Sequence, residues 1–113
     1  MAKKAIPDEV RAEVEARIQR FNQTELQAVG MGSNVSYSVR FRGKHAYLDR
    51  DAYGRSGPIC RLTYSGAIDK WEFAIFKYSD ERYDPDEWFF GGAEHVDGTV
   101  EGAMRAGLEA YPV

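Results

Sequence analysis

In the stretch "VSYSVRFR" every second residue is apolar: Val35, Tyr37, Val39 and Phe41 alternate with Ser36, Ser38, Arg40 and Arg42. A period of two is that of a β-strand with one buried face. Gly43 and Lys44 follow, a two-residue turn with glycine first, which suits a tight hairpin. That turn length sets the register: Arg42 opposite His45, Phe41 opposite Ala46, Arg40 opposite Tyr47 and Val39 opposite Leu48. Ala46 and Leu48 then share the face of Val39 and Phe41, so strands are expected over about 35–42 and 45–50. "RDAYGRSGP" reads as a loop. "ICRLTY" predicts a third strand over about 59–64, with Cys60, Leu62 and Tyr64 on one side and Arg61 and Thr63 on the other. "WEFAIFKYS" predicts a fourth over about 71–79, and this one is apolar on both sides. Trp71, Phe73 and Ile75 point one way; Ala74, Phe76 and Tyr78 point the other. "SDERYDPDE" reads as an acidic turn, and "EWFF" offers a short fifth strand over 87–90.

The pattern on either side of these strands has a different period. Val10, Val14, Ile18 and Phe21 recur at helical spacing, which predicts a helix over about 7–22, with Pro7 at its first position and Asp8 and Glu9 at the positive end of its dipole. Leu26 falls out of phase, so the end of this helix is open. "GMGSN" breaks the chain before the first strand. A second helix is expected over about 99–111, capped by Asp97 or Thr99 and stopped by Pro112, with Val100, Met104, Leu108 and Tyr111 as its stripe. Gly102 and Gly107 weaken it by about 1 kcal/mol each relative to alanine. Close packing of its small side chains on a sheet is the expected compensation.

Both helices carry one apolar stripe that must be buried. The simplest arrangement is an α+β two-layer sandwich: an antiparallel sheet of four to five strands with the N-terminal and C-terminal helices on one face, in a single domain spanning 1–113. Val35, Tyr37, Val39, Phe41, Ala46, Leu48, Cys60, Leu62, Tyr64, Trp71, Phe73 and Ile75 form the expected core face.

Composition narrows the class without naming a function. A chain of 113 residues, 43% apolar and 29% charged, is ordinary for a globular protein. No apolar run approaches the ~20 residues needed to cross a bilayer, and "MAKKAIPDEV" lacks the apolar core of a secretory signal, so no membrane partner is expected. A lone cysteine, Cys60, fits a reducing, cytoplasmic setting. Net charge is -3, but its distribution is uneven. Arg40, Arg42, Lys44, Arg50, Arg55 and Arg61 crowd one stretch, while Asp69 to Glu101 is dominated by acids. That asymmetry points to two faces of opposite sign, or to solvated loop charges.

The run "YSVRFRGKHAYL", then "ICRLTYSGAIDKWEFAIFKYS", then a short C-terminal helix resembles small bacterial proteins classed as domains of unknown function. These share a helix, a polar-apolar hairpin, an "RLxY" strand and a Trp-led strand. The resemblance covers most of the chain from Val35 onward. It implies a compact cytoplasmic α+β domain, and it transfers no catalytic residue because it carries no known activity.

The candidate chemistry lies on the sheet face opposite the helices. There Arg40, Arg42, His45, Tyr47, Arg61, Phe76 and Tyr78 would form one patch of cations interleaved with rings. Such a patch suits a protein partner or a second copy of the chain, because Tyr, Phe and Arg are enriched at interfaces. It also suits single-stranded nucleic acid, although no ribonucleoprotein motif is present. Alternatively, Tyr47, Phe76 and Tyr78 form a cross-strand cluster flanked by arginine stems, or the C-terminal segment folds over them. The carboxylates Asp80, Glu81, Asp84 and Asp86 offer a second alternative, a weak metal-dependent hydrolase, but they lack the spacing of a calcium loop. Cys60 is expected on the core face and His45 on the opposite one, so a Cys-His nucleophile would need Cys60 exposed and a histidine, such as His95 in its loop, within hydrogen-bond reach. One cysteine and two distant histidines cannot make a four-ligand zinc site. An interaction module is therefore expected rather than an enzyme, with no cofactor and no metal.

Overall fold

The structure, a computed structural model, describes residues 5–28, 30 and 34–112. Residues 1–4 and 31–33, which include most of the breaker cluster, lie outside the described residues, as do 29 and 113.

The first helix, α1 (Asp8–Gln23), starts after Pro7 and buries Val14, Ile18 and Phe21. Asp8 and Glu9 in its first turn and Arg20 in its last complement the dipole. It stops at Thr24, whose hydroxyl donates to the Arg20 carbonyl at 2.7 Å. A single further turn, α2 (Glu25–Ala28), then rotates Leu26 into the core, where it is fully buried. This break is why Leu26 is out of phase with the stripe before it.

Five strands follow as an antiparallel meander in chain order: β1 (Val35–Arg42), β2 (His45–Ala52), β3 (Arg55–Thr63), β4 (Glu72–Lys77) and β5 (Arg82–Asp84). β1 and β2 pair with Arg42 opposite His45 and Val39 opposite Leu48, as a two-residue turn requires, and Gly43 supplies its positive φ of 60°. The outer edge of β1 is closed by side chain rather than by strand. Asn22 of α1 donates to the Tyr37 carbonyl at 3.1 Å and accepts from the Tyr37 N–H at 2.9 Å, replacing one rung of a ladder.

The segment read as a loop after β2 is instead a continuation of the β2–β3 hairpin. Tyr53 and Gly54 both have positive φ, 54° and 86°, the geometry of a two-residue turn that matches strand twist. The ladder tolerates Pro58 because the register shifts between Leu48 and Asp49, where Cys60 and then Pro58 are the partners, leaving Ile59 as the extra residue of a bulge. The strand expected over 87–90 is also corrected: the fifth strand is Arg82–Asp84. Asp84 folds back to accept from the Asp86 N–H at 2.9 Å, and Pro85 has no donor, so the ladder ends there. Beyond it, Trp88 and Phe90 pack against the Phe73 ring at centroid distances of 6.0 and 5.8 Å, while Phe89 between them is 98% exposed. β4 is shorter than the apolar run, so Trp71 precedes it and Tyr78 and Ser79 follow it.

The last helix, α3 (Val100–Ala110), is capped by Thr99, whose hydroxyl accepts from the Gly102 N–H at 2.9 Å. Asp97 in turn accepts from the Thr99 hydroxyl and N–H, and these bonds hold its carboxyl below the usual carboxylate range. α1 and α3 lie on the same sheet face, and their buried residues join Val35, Tyr37, Leu48, Cys60, Leu62, Trp71, Phe73 and Ile75 in one core. Val39, Phe41 and Tyr64 pack against it half-buried. Gly107 is where α3 meets the sheet: a Cβ there would lie 2.5 Å from Ile59 Cγ2 and 2.6 Å from the Tyr37 hydroxyl.

Two outcomes follow from this packing. Alanine in place of a mid-helix glycine ordinarily raises stability by about 1 kcal/mol, but Gly107→Ala should lower it by about 1–3 kcal/mol, because the added methyl has no room. Urea denaturation of the two proteins reads the sign directly. Cys60 is fully buried, and that burial pushes its thiol pKa up. It should react slowly with a thiol reagent in the native protein and quickly after denaturation; rapid native labelling would contradict its place in the core.

Candidate interaction face

No helix among the described residues covers the second face of the sheet. Pairing builds that face directly: Arg40 lies opposite Tyr47, Tyr47 opposite Arg61, Arg61 opposite Ala74, and Phe76 opposite Tyr83. Ala74 forms the floor, only 2% exposed although no element among the described residues is layered above it. Its cover comes from rings and arginine stems.

The rings form a continuous chain across four strands. His45 meets Tyr47 at 5.9 Å, Tyr47 meets Tyr83 at 5.3 Å, Tyr83 meets Phe76 at 5.0 Å, and Phe76 meets Tyr78 at 4.9 Å. Each contact is edge to face, the arrangement the ring quadrupole favours, worth about 0.5–1.5 kcal/mol beyond area burial. Two guanidinium groups lie over the chain, Arg40 at 5.2 Å from the Tyr47 centroid and Arg61 at 5.7 Å from that of Tyr83. Burial raises the Tyr83 hydroxyl pKa, and the nearby Asp49 carboxylate adds to the shift, so it stays a protonated donor at neutral pH.

Of the residues singled out by pattern, Arg40, Arg42, His45, Tyr47, Arg61 and Phe76 are brought onto this one face. Tyr78 reaches only its rim. It lies one residue beyond β4, its hydroxyl donates to the Pro58 carbonyl at 2.8 Å, and its ring meets that of Tyr111 at 5.2 Å. Tyr111 comes round from the end of α3 and also donates to the Phe76 carbonyl, so the C-terminal segment holds the rim without covering the Phe76 ring. Tyr83 is the member that pattern reading missed. It is hidden in "SDERYDPDE", where the surrounding acids outweigh one aromatic. No local signal marks it, because the three residues of β5 before Pro85 are too few to show a period.

The cations of this face are not equivalent. Arg40 holds Asp49 with two bonds, Nε to Oδ2 at 2.6 Å and Nη2 to Oδ1 at 3.3 Å. His45 Nδ1 lies 3.0 Å from the Thr63 hydroxyl. Arg42 is exposed, and neither it nor Arg61 is ion-paired with another described residue. The Nε of Arg61 is buried with no hydrogen-bond partner among the described residues.

The acidic turn is arranged otherwise. The Lys77 ammonium lies 3.3 Å from Glu87, 3.6 Å from Asp80 and 3.8 Å from Asp84, and Arg82 also binds Asp84 at 3.2 Å. Its carboxylates close on a lysine rather than on one another. Cys60, in the core, and His45, on the open face, lie on opposite sides of the sheet. No protein-family model, curated protein or solved structure matches the chain.

The open face should tolerate substitution. Arg40→Ala combined with Arg42→Ala should leave the protein folded and cost no more than about 1 kcal/mol, since one arginine has an exposed ion pair and the other none. A loss of several kcal/mol in urea denaturation would mean that the face is covered in the folded chain.

Proposed function

We propose that this protein is an interaction module whose open sheet face receives an acidic surface of a protein partner. The observation that carries the reading is Arg61. A buried N–H without an acceptor costs about 1–3 kcal/mol, and an apolar side chain of similar length would avoid that cost. Arg61 instead stands at the centre of an aromatic cluster, its Nε without an acceptor, on a face that no helix among the described residues covers. Tyrosine and arginine in a preorganised cluster are the residues that most often dominate binding energy at interfaces. Arg42, also without an ion partner among the described residues, extends the positive character toward the first hairpin. No helix among the described residues is long and apolar enough to cross a membrane, which fits a partner met in aqueous solution.

The test is Arg61→Met, which keeps an unbranched stem and removes the guanidinium with its orphaned donor. Stability should be unchanged or slightly raised, while affinity for a partner captured by the immobilised chain and then purified should fall at least tenfold. A partner that binds both proteins equally, or a wild-type chain that retains nothing, would sink the reading. Cations interleaved with rings also fit phosphates and bases, so a single-stranded oligonucleotide belongs in the same assay. If the oligonucleotide binds, with a salt slope of about 0.7 per phosphate contacted that flattens in the Arg40→Ala, Arg42→Ala protein, nucleic acid replaces the protein partner. If sedimentation instead shows a dimer that Arg61→Met dissociates, the partner is a second copy.

A further inference from the structure

The loop before α3 brings Glu94 and His95, neighbours in sequence, against Glu109 of that helix. Gly92 has a φ of 98° and lies so close to α3 that a Cβ would come within 2.7 Å of the Ala106 carbonyl oxygen and 2.9 Å of Glu109 Cβ. This close approach presses a short 3-10 turn, Ala93–His95, onto the last turns of the helix. The His95 N–H closes the turn on the Gly92 carbonyl at 2.9 Å. One ligand atom from each of Glu94, His95 and Glu109 then falls within 4.8 Å of the others. His95 Nε2 contacts the Glu109 carboxylate directly and lies 4.0 Å from Glu94 Oε2.

We propose that Glu94, His95 and Glu109 form a binding site for a divalent transition-metal ion of the zinc type. One imidazole nitrogen with two carboxylate oxygens is a borderline donor set, suited to zinc or cobalt rather than to magnesium or calcium. Zinc bonds of about 2.0–2.2 Å place neighbouring tetrahedral ligands about 3.3 Å apart. That spacing falls between the close His95–Glu109 contact and the 4.0 Å from His95 to Glu94, so small rotations of two exposed glutamates complete the site. Charge favours the same outcome. Neither Glu94 nor Glu109 has a lysine or arginine within ion-pair distance among the described residues, so two carboxylates share one imidazole. One cysteine and two distant histidines are too few for a closed four-ligand zinc centre of those residues. A three-ligand centre completed by water needs one histidine only, and the ion would tie the 3-10 turn to α3.

Tag-free protein, stripped with chelator, should bind one zinc or cobalt ion per chain. Zinc should raise the melting temperature with saturation, since an ion that binds only the folded state stabilises it, and cobalt should give a visible d–d absorption. His95→Gln should abolish both signals, and Glu109→Gln should weaken binding at least tenfold. Excess magnesium should not displace the ion. No binding at millimolar zinc, or binding undiminished in a folded His95→Gln protein, overturns the proposal. Should that variant fail to fold, NMR of the wild-type imidazoles during zinc titration decides: shifts at His95 support the site, and shifts confined to His45 refute it.

Discussion

The carbonyl end of α3 is held by side chains that rise from the sheet, and much of the molecule is arranged around that contact. The Tyr37 hydroxyl donates to the Met104 carbonyl at 2.8 Å, Arg50 Nη1 donates to the Gly107 carbonyl at 3.2 Å, and Arg50 Nη2 donates to the Tyr111 carbonyl. Met104 lies inside α3, while the Gly107 carbonyl in its last turn also accepts from the Tyr111 N–H at 3.0 Å, so the guanidinium adds a second bond at the negative end of the helix dipole. Tyr37 and Arg50 face each other across β1 and β2, and the guanidinium lies 5.9 Å from the ring centroid. Arg50 is 8% exposed and pairs with no described carboxylate, so the helix end is its counter-charge. Such an arrangement works only if α3 comes very close to the sheet, which Gly107 permits and a larger residue would forbid. Burial raises the Tyr37 hydroxyl pKa, against the opposing pull of Arg50, and keeps this donor protonated.

From that anchor the consequences spread in two directions. Past the end of the helix, Tyr111 reaches the Phe76 carbonyl and the Tyr78 ring, so the position of α3 sets one rim of the open face. Along the helix, Ala106 and Glu109 receive the loop that carries His95. The open sheet face and the cluster of His95 with its glutamates therefore depend on the same buried hydroxyl and guanidinium, although they lie on different elements.

What could be read from the chain was whatever depended on neighbours in sequence. The β1–β2 register followed from Gly43 and Lys44, and the core face followed from alternation. The small residues of α3 announced a close approach before any partner was known. What could not be read depended on distant partners. The bulge at Ile59 arises where β2 and β3 pair, and no local signal marks it, yet it lets Ile59 and Cys60 both be buried in succession. Leu26 needed a helix break that only the core position explains. β5 was invisible because "RYD" is too short for periodicity, and the apolar "EWFF" drew the assignment away from it. His95 and Glu109 lie 14 residues apart and meet only because Gly92 touches α3.

The charge pattern shows how little a linear run says about a surface. Arg40, Arg50 and Arg61 belong to one basic stretch, but folding gives them three different fates. Arg50 turns inward to the helix end, Arg40 is neutralised by Asp49, and Arg61 is left on the open face with a buried, unpaired donor. Arg42, Lys44 and Arg55 also have no ion partner among the described residues, but of the cations set among the rings only Arg61 is left unpaired. Attracting a polyanion over long distance takes many cations acting together, whereas one unpaired guanidinium acts at short range. It is well suited to a single carboxylate placed at short range among rigid rings. The Tyr47, Tyr83 and Phe76 rings already support one another edge to face, so little side-chain freedom remains to be lost when a partner arrives. The same mutual support explains how the apolar second face of β4 is covered by rings and arginine stems, with no second layer of helices among the described residues.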